Sequence, residues 1–371
     1  MTTRYTIAVL EGDGIGPEIM AAALKVLDAC ASDTVAFDLR VVPFGGQAYF
    51  DTGSVLPAET LDACDAADAI LKGPIGLSYE DSQKIPVDAQ PERAGLLPLR
   101  QRYRTFANFR PVYLPPELVH FSPLKERVVA GGIDIMMIRE LVGGLYFGEK
   151  EEGIDAQGRR YVKETLEYDD DEIRQVMVVA FDEARRRGKL LHNVHKSNVL
   201  KSSVLWNSVC SEVHSEYPDV DLRHIIVDAA ATALILNPRQ FDVMVMENMF
   251  GDILSDLGGG LLGSLGLMPS ASVGPEKALY EPSHGSAPDI AGQGIANPYS
   301  MIGSVALMLD KSFGMERTAH AIWEAMRQVF AAGYTTPDLG DPEEDLTPIS
   351  TLAFADRVVE ALDGLLAEEK S

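Results

Sequence analysis

Basic residues are scarce in this chain of 371 residues. Its 32 Lys and Arg stand against 56 Asp and Glu, a formal net charge of −24. Neutralising a nucleic-acid backbone takes clustered cations, so the deficit argues against nucleic acid and against an anionic membrane surface as partners. It leaves an anionic small molecule open, because surface charge is screened beyond roughly 8 Å and a local basic pocket then dominates. So acidic a surface would also suit life in high salt, where self-repulsion is screened. Cysteine is sparse too. Cys30, Cys64 and Cys210 are an odd number without a C-x-x-C pair, which fits a reducing cytosol and no disulfide framework. Long apolar runs are missing: Ala229–Leu236 and Leu257–Met268 are too short or too glycine-rich to span a bilayer. No basic stretch followed by an apolar one opens the chain, so no signal peptide is expected, and the expected setting is cytoplasmic.

What is present is ordinary for a soluble globular protein, 46% hydrophobic and 24% charged. The length exceeds what one hydrophobic core usually organises, so two domains or lobes are expected. Strand-like Thr6–Leu10, Val35–Val42 and Ala69–Leu71 alternate with helix-like Pro17–Ala31 and Ala58–Asp65, the pattern of an α/β fold with a largely parallel sheet. Val128–Ile138 reads as β-rich, interrupted by Gly131-Gly132. Tyr146–Tyr168 reads as two polar strands around turn signals, an arm with too little apolar content to stand alone and suited to packing on a second subunit. Asp169–Arg187 predicts an amphipathic helix, with an acidic first turn, a stripe of Ile173, Val176, Met177, Ala180 and Ala184, and a basic last turn. Leu190–His195 and Phe241–Met246 are strand-like and Val204–Tyr217 helical. The chain reads as turn-rich from Gly266 to Asn297-Pro298. Helices are expected near Ile302–Leu309, Arg317–Ala332 and Ser350–Leu366, with an acidic linker at Asp338–Asp345.

Chemistry concentrates in a few stretches. In Glu247–Asp256, Asp252 and Asp256 stand four apart where the pattern turns helical, so both carboxylates project from one face. Like charges so placed repel by a few tenths of a kcal/mol. A hard divalent cation would offset that, and a solvated acidic face is the competing reading. The following Gly258-Gly259-Gly260 weakens a helix by up to about 1 kcal/mol per glycine and draws its expected end toward Asp256. Glu11–Pro17 follows a strand and opens a helix, yet Pro17 stands where a dinucleotide fingerprint needs glycine. Arg100, Arg110 and Arg139 would suit a dicarboxylate if they converge on one cleft, since each guanidinium can meet a carboxylate with two donors. Each alone could equally lie on the surface, as Arg102 and Arg104 are expected to. Tyr146 and Lys196 are candidates for proton transfer that spacing alone cannot select. Glu281–Gly292 is a polar loop whose backbone N–H groups could cradle a pyrophosphate. In it Asp289 could accept ribose hydroxyls and repel a 2′-phosphate, with an ordinary loop as the alternative.

Taken together, Glu11–Glu18, Leu96–Pro111, Asp134–Gly148, His195–Leu200, Phe241–Asp256 and Leu279–Pro298 resemble, in order and over nearly the whole chain, the metal-dependent β-hydroxyacid oxidative decarboxylases, the isocitrate/isopropylmalate dehydrogenase family. The resemblance implies a two-lobed, non-Rossmann α/β fold with a mixed sheet flanked by helices. Residues 1–105 plus 263–371 would form the first lobe, and 106–262 a second that builds a homodimer with shared active sites. It implies a divalent cation, Mg²⁺ or Mn²⁺, bound by Asp252 and Asp256 of one subunit and Asp228 of the other. Arg100, Arg110 and Arg139 would hold the substrate carboxylates. Lys196, also crossing the interface, would take the hydroxyl proton through water, and Tyr146 would protonate the enolate left by CO₂. NAD would lie on Glu92, Glu281, His284, Gly285, Ser286, Ala287, Asp289 and Asn297. Leu96 and Leu97, with Val199 from the partner, suit an isopropyl group, so the implied substrate is 3-isopropylmalate, and Asp228 would also reach it. The sibling reading is a decarboxylase of isocitrate, homoisocitrate or tartrate. The non-enzymatic one is an acidic cation-binding dimer module. Ala229–Ala233 after Asp228 lacks the Met and Gln common in the family, which leaves the surroundings of that carboxylate open.

Overall fold

The computed structural model describes residues 2–339 and 346–368, so most of the acidic linker lies outside the described residues. Twelve strands frame the site: β1 (Thr3–Leu10), β2 (Val35–Val41), β3 (Ala69–Lys72), β4 (Ala107–Leu114), β5 (Ile133–Glu140), β6 (Lys150–Ile154), β7 (Arg160–Glu164), β8 (Leu190–His195), β9 (Asp221–Ile226), β10 (Val243–Met246), β11 (Pro269–Val273) and β12 (Ala278–Pro282). Ten form one sheet in the order β2-β1-β3-β12-β11-β4-β5-β10-β8-β9, and β6 and β7 make a separate antiparallel hairpin, the arm. The sheet is parallel toward both edges and antiparallel in the middle, where β11 runs against β12 and β4, and β4 against β5. This is a mixed sheet, flanked by helices.

β3 and β10, four residues each and buried throughout, are apolar apart from Lys72 at the end of β3, which reflects helices covering both faces. The helix Asp170–Arg186 buries the stripe read from its sequence, and Asp169 caps it reciprocally with Glu172. Two expectations need correction. Val128–Ile138 is interrupted at Gly131 and Gly132, both at positive φ, but the part before them is a short helix, Glu126–Val129, and only after them does β5 begin. The stretch after Gly266 is not merely turns, since β11 and β12 lie at the centre of the sheet. Among the described residues no helix is long and apolar enough to cross a membrane.

Strand alternation sorts the two faces. Asn108 and Arg110 on β4 and Arg139 on β5 point toward the helix Asn248–Leu262, while Pro111, Tyr113 and Met136 line a cleft on the opposite face. β5, β8 and β10 are mutually parallel, so their C-terminal ends share one sheet edge. From that edge the chain continues into the turn Gly144–Tyr146, into Lys196 and into the Asn248–Leu262 helix.

Candidate active site

Glu247 follows β10 and caps the next helix, accepting from the backbone N–H groups of Phe250 at 3.0 Å and Met249 at 3.3 Å. Asp252 and Asp256 follow on the face turned to β4 and β5. Asp252 accepts from the Arg139 guanidinium and, at 2.8 Å, from the Tyr146 hydroxyl. Arg110 reaches Asp256 at 3.4 Å and lies 3.9 Å from Asp252. Arg110 is itself fixed, donating to the Asn108 amide oxygen and to Ser255, both at 2.7 Å. Arg139 donates to the side-chain oxygen of Asn248 at 3.0 and 2.8 Å. Gly251 makes room for it, because a Cβ there would stand 2.4 Å from Arg139 Cγ.

The two aspartates differ electrostatically. Burial raises the Asp252 carboxyl, but Arg139, the Tyr146 hydroxyl and Arg110 outweigh it and hold the group below the ordinary aspartate value. Asp256 ends above that value, because burial and the neighbouring Asp252 exceed the pull of Arg110. Burial, then Asp252, pushes Tyr146 up to about 12, so its hydroxyl keeps its proton at neutral pH.

Arg100 lies beside this group, buried in the helix Leu97–Arg102, with one guanidinium nitrogen 3.2 Å from Glu281 and its Nε without a partner. Glu281 is also paired at 2.6 Å with the buried Lys72. Burial raises the Glu281 carboxyl, yet Lys72 and Arg100 overcome that and bring it down to about 2. Leu96 and Leu97 precede Arg100 by about one turn of a continuous helical run that starts at Pro91. Lys196 and Asp228 form a second, separate pair, Nζ to Oδ1 at 2.6 Å, with Asp228 mostly exposed. Val199, one turn on from Lys196, is exposed as well. Among the described residues no group of three or more His, Cys, Asp and Glu is placed to hold a metal ion.

In the polar loop after β12, Gly285, Ala287 and Asp289 face solvent, and Glu92 is exposed on its own helical turn. The other side chains have internal partners. His284 meets Ser300 at 2.8 Å, Ser286 donates to the carbonyl of Gly76 at 2.7 Å, and Asn297 donates to Thr336 at 2.8 Å. The Ser286 carbonyl accepts from Ile15 N at 2.8 Å, so the glycine turn of Glu11–Pro17 supports this loop. Asp13 in that turn accepts from the N–H groups of Gly46, Gln47 and Gly76.

The model of isocitrate and isopropylmalate dehydrogenases matches residues 6–358. The chain belongs to this family. A 3-isopropylmalate dehydrogenase of Geobacter sulfurreducens is 47% identical over 98% of this chain and all of its own length, and one of Aquifex aeolicus 46% over 98% of each. Among solved structures, an isocitrate dehydrogenase of Methylococcus capsulatus superposes with a TM-score of 0.82 at 35% identity, covering 97% of this chain and 99% of its own. A β-decarboxylating dehydrogenase of Thermococcus kodakarensis in its apo form gives 0.79 at 31%, covering 99% and 98%.

Sequence reasoning missed the residues that hold this family member's arginines: Asn108, Asn248 and Ser255, and the buried Lys72 under Glu281. Lys72 carried a readable signal, a charged residue closing the apolar run Ala69-Ile70-Leu71. The others are common polar residues with nothing in their spacing to set them apart.

Proposed function

We propose that this chain oxidises (2R,3S)-3-isopropylmalate at C2 and releases its β-carboxylate as CO₂, giving 4-methyl-2-oxopentanoate for leucine biosynthesis. NAD is the hydride acceptor and Mg²⁺ or Mn²⁺ the resident cation. The observation that carries the substrate reading is the placement of Leu96 and Leu97 one turn before Arg100. An apolar wall there suits an isopropyl group and leaves a third carboxylate without partners, and a site rejects a buried unpaired charge far more strongly than a missing methylene.

Arg110 and Arg139 already hold carboxylates, those of Asp256 and Asp252, so they are oriented for a dicarboxylate before one arrives. Arg100, with an unpartnered Nε, adds the third guanidinium. Asp252 and Asp256 offer half-exposed oxygen donors on one helix face, the chemistry a hard divalent cation takes, and Asp228 of a second copy would complete the set. A cation held by these aspartates would supply Lewis acidity toward the substrate's 2-hydroxyl. Lys196 of the second copy takes the 2-hydroxyl proton through water. The Tyr146 hydroxyl, kept protonated by its surroundings, gives a proton to the carbon that has lost CO₂.

The polar loop around Gly285–Asp289 suits the cofactor: no atom lies within 4 Å of where a Gly285 Cβ would sit, and the exposed Asp289 suits ribose hydroxyls and opposes a 2′-phosphate. The first lobe, 1–105 plus 263–371, takes the β2 to β11 half of the sheet, and 106–262 the β4 to β9 half. Ile253, 60% exposed between the two aspartates, and the exposed Leu236, Val199 and Val204 are apolar side chains that a second copy would cover. The arm, with Ile154 and Val162 exposed, would extend that contact. Three buried free cysteines fit a cytoplasmic setting.

The assay is NADH formation from 3-isopropylmalate with Mn²⁺, beside isocitrate and beside NADP. Turnover of isocitrate without turnover of 3-isopropylmalate overturns the substrate reading. Lys196→Ala with unchanged kcat overturns the proposed base.

A further inference from the structure

Behind the site lies a polar cluster that the reaction does not touch. The Tyr168 hydroxyl is buried 3.0 Å from Glu140 Oε2 and 3.3 Å from Glu247 Oε2, and it accepts the backbone N–H of Asn248 at 3.0 Å. Glu140 also accepts from the N–H groups of Val142 at 2.8 Å and Gly143 at 3.0 Å. Glu247 is occupied with the first N–H groups of its helix. The Tyr168 ring is closed in by Trp206, edge-on at 5.5 Å, and by two glycines: a Cβ on Gly143 would stand 2.8 Å from the ring and one on Gly144 2.4 Å from the hydroxyl. Gly144 has a φ of +71°, so a side chain there would be strained as well as crowded.

This cluster has one hydrogen too few. One phenol has one hydrogen, and two carboxyl groups compete for it. With both glutamates ionised, one of them faces the phenol oxygen with no hydrogen between them, among side chains no more than 8% exposed. A single proton on one carboxyl removes the conflict. That carboxyl donates to the phenol oxygen, which also accepts from Asn248, and the phenol donates to the other carboxylate.

We propose that Tyr168, Glu140 and Glu247 form a buried clasp that retains this proton, and that the clasp positions Arg139, Tyr146 and Asp252. Its reach is visible in the bonding. The Asn248 side chain, whose backbone N–H the clasp holds, donates to the Gly143 carbonyl at 3.0 Å and accepts both bonds from Arg139. Gly143 and Gly144, folded over the Tyr168 ring, lead directly into Tyr146. Glu247 caps the helix whose next turn carries Asp252. The other charged or titratable groups facing the clasp are Glu172 on the Asp170–Arg186 helix, Arg139 on β5 and Tyr146 on its turn. Glu140 is the better proton carrier: burial, opposed by its N–H partners and Tyr168, leaves it at about 7. Burial raises Glu247 too, but the helix N–H groups of Phe250 and Met249, with Tyr168 and Arg139, oppose it and favour its charge more than anything beside Glu140 does.

The positioning half rests on the roles given above to Arg139, Tyr146 and Asp252, and the proton half does not. Infrared spectra of the full chain without substrate, in mildly acidic buffer, should show a protonated carboxyl band that Glu140→Gln or Glu247→Gln removes. A wild type without such a band overturns the proton. Kinetics then read position, on whichever of 3-isopropylmalate or isocitrate is turned over. Glu140→Gln, which keeps a donor toward the phenol, should hold kcat within about threefold, whereas Glu140→Leu and Tyr168→Phe should lower it by about ten- to a hundredfold, the scale of a misplaced catalytic geometry. Equal loss in Glu140→Gln and Glu140→Leu, or no loss in Tyr168→Phe, overturns the clasp. Thermal melts of each variant separate misplacement from unfolding. Absence of turnover with 3-isopropylmalate alone strikes the substrate reading and leaves the infrared result standing.

Discussion

Gly251 shows how a single missing Cβ decides chemistry one residue away. Alanine would favour the helix by about 1 kcal/mol over glycine, so propensity alone argues for replacing it. The position is nonetheless filled by the stem of Arg139, whose Cγ would lie 2.4 Å from the added methyl. We expect Gly251→Ala to fold with unchanged helix content by circular dichroism and to lose about ten- to a hundredfold in kcat/KM, because Arg139 must move. Normal kinetics in a well-folded Gly251→Ala would show that Arg139 does not depend on this contact. The glycine is legible in the sequence, but its purpose is not, since nothing local says that an arginine from β5 will lie across it. Asp252 and Asp256 were legible as a pair, and their opposite departures from ordinary aspartate behaviour were not. Those depend on which guanidinium each one meets.

At the scale of elements, the glycine run in the Asn248–Leu262 helix works differently from its sequence reading. The helix does not end early but continues through Gly258, Gly259 and Gly260 to Leu262. Gly258 lies against Val112 of β4, where a Cβ would stand 2.6 Å from the valine, and Gly259 lies as close to Leu265. Gly260 faces open space. Gly260→Ala should therefore stabilise by up to about 1 kcal/mol, whereas Gly258→Ala should destabilise by about 1–3 kcal/mol through overpacking. Denaturant midpoints of the two variants check the signs, and the same sign in both contradicts this packing. Intrinsic propensity was right about the cost and silent about the compensation, which is a close approach of helix to sheet. β11 escaped sequence reading for a related reason. Pro269-Ser270-Ala271-Ser272-Val273 has turn-like composition, yet its serines are buried and held by Asn108 from β4, so tertiary bonding overrides local preference. The arm and the amphipathic helix were legible because their signals are local: alternating polar strands around a turn, and an uninterrupted stripe with caps.

Over the whole molecule, acid should act on two buried sites in succession. His192, lowered to about 4 chiefly by burial, is neutral in the fold, while an unfolded histidine titrates near its ordinary value of about 6.5. Its contribution to stability therefore falls as pH drops from about 6.5 toward about 4. Glu281, held down to about 2 by Lys72 and Arg100, contributes stability above the ordinary glutamate range and loses it as pH falls from there through about 2. Between about 6.5 and 4.5 the raised Glu140 acts in the opposite sense, gaining stability as pH falls, so His192 is read by difference: urea midpoints of His192→Phe should fall less than those of the wild type across that window, and both should decline below it as Glu281 is protonated. A net charge of −24 adds self-repulsion that salt screens, so the melting temperature should rise from low to molar KCl. An unchanged or lower value would remove the case for a high-salt surface.

The division of the proton-transfer groups between two bonded clusters carries a genetic consequence. Tyr146 bonds to Asp252 in one cluster, and Lys196 bonds to Asp228 in another. If each working centre joins the first cluster of one chain to the second of its partner, two dead proteins can rescue each other. Tyr146→Phe chains and Lys196→Ala chains, unfolded and refolded as an equal mixture, would form mixed dimers in which one centre inherits both intact groups and the other neither. Random pairing then restores about a quarter of the centres, although neither parent has one to contribute. Complementation of this kind would read the architecture of the site from activity alone.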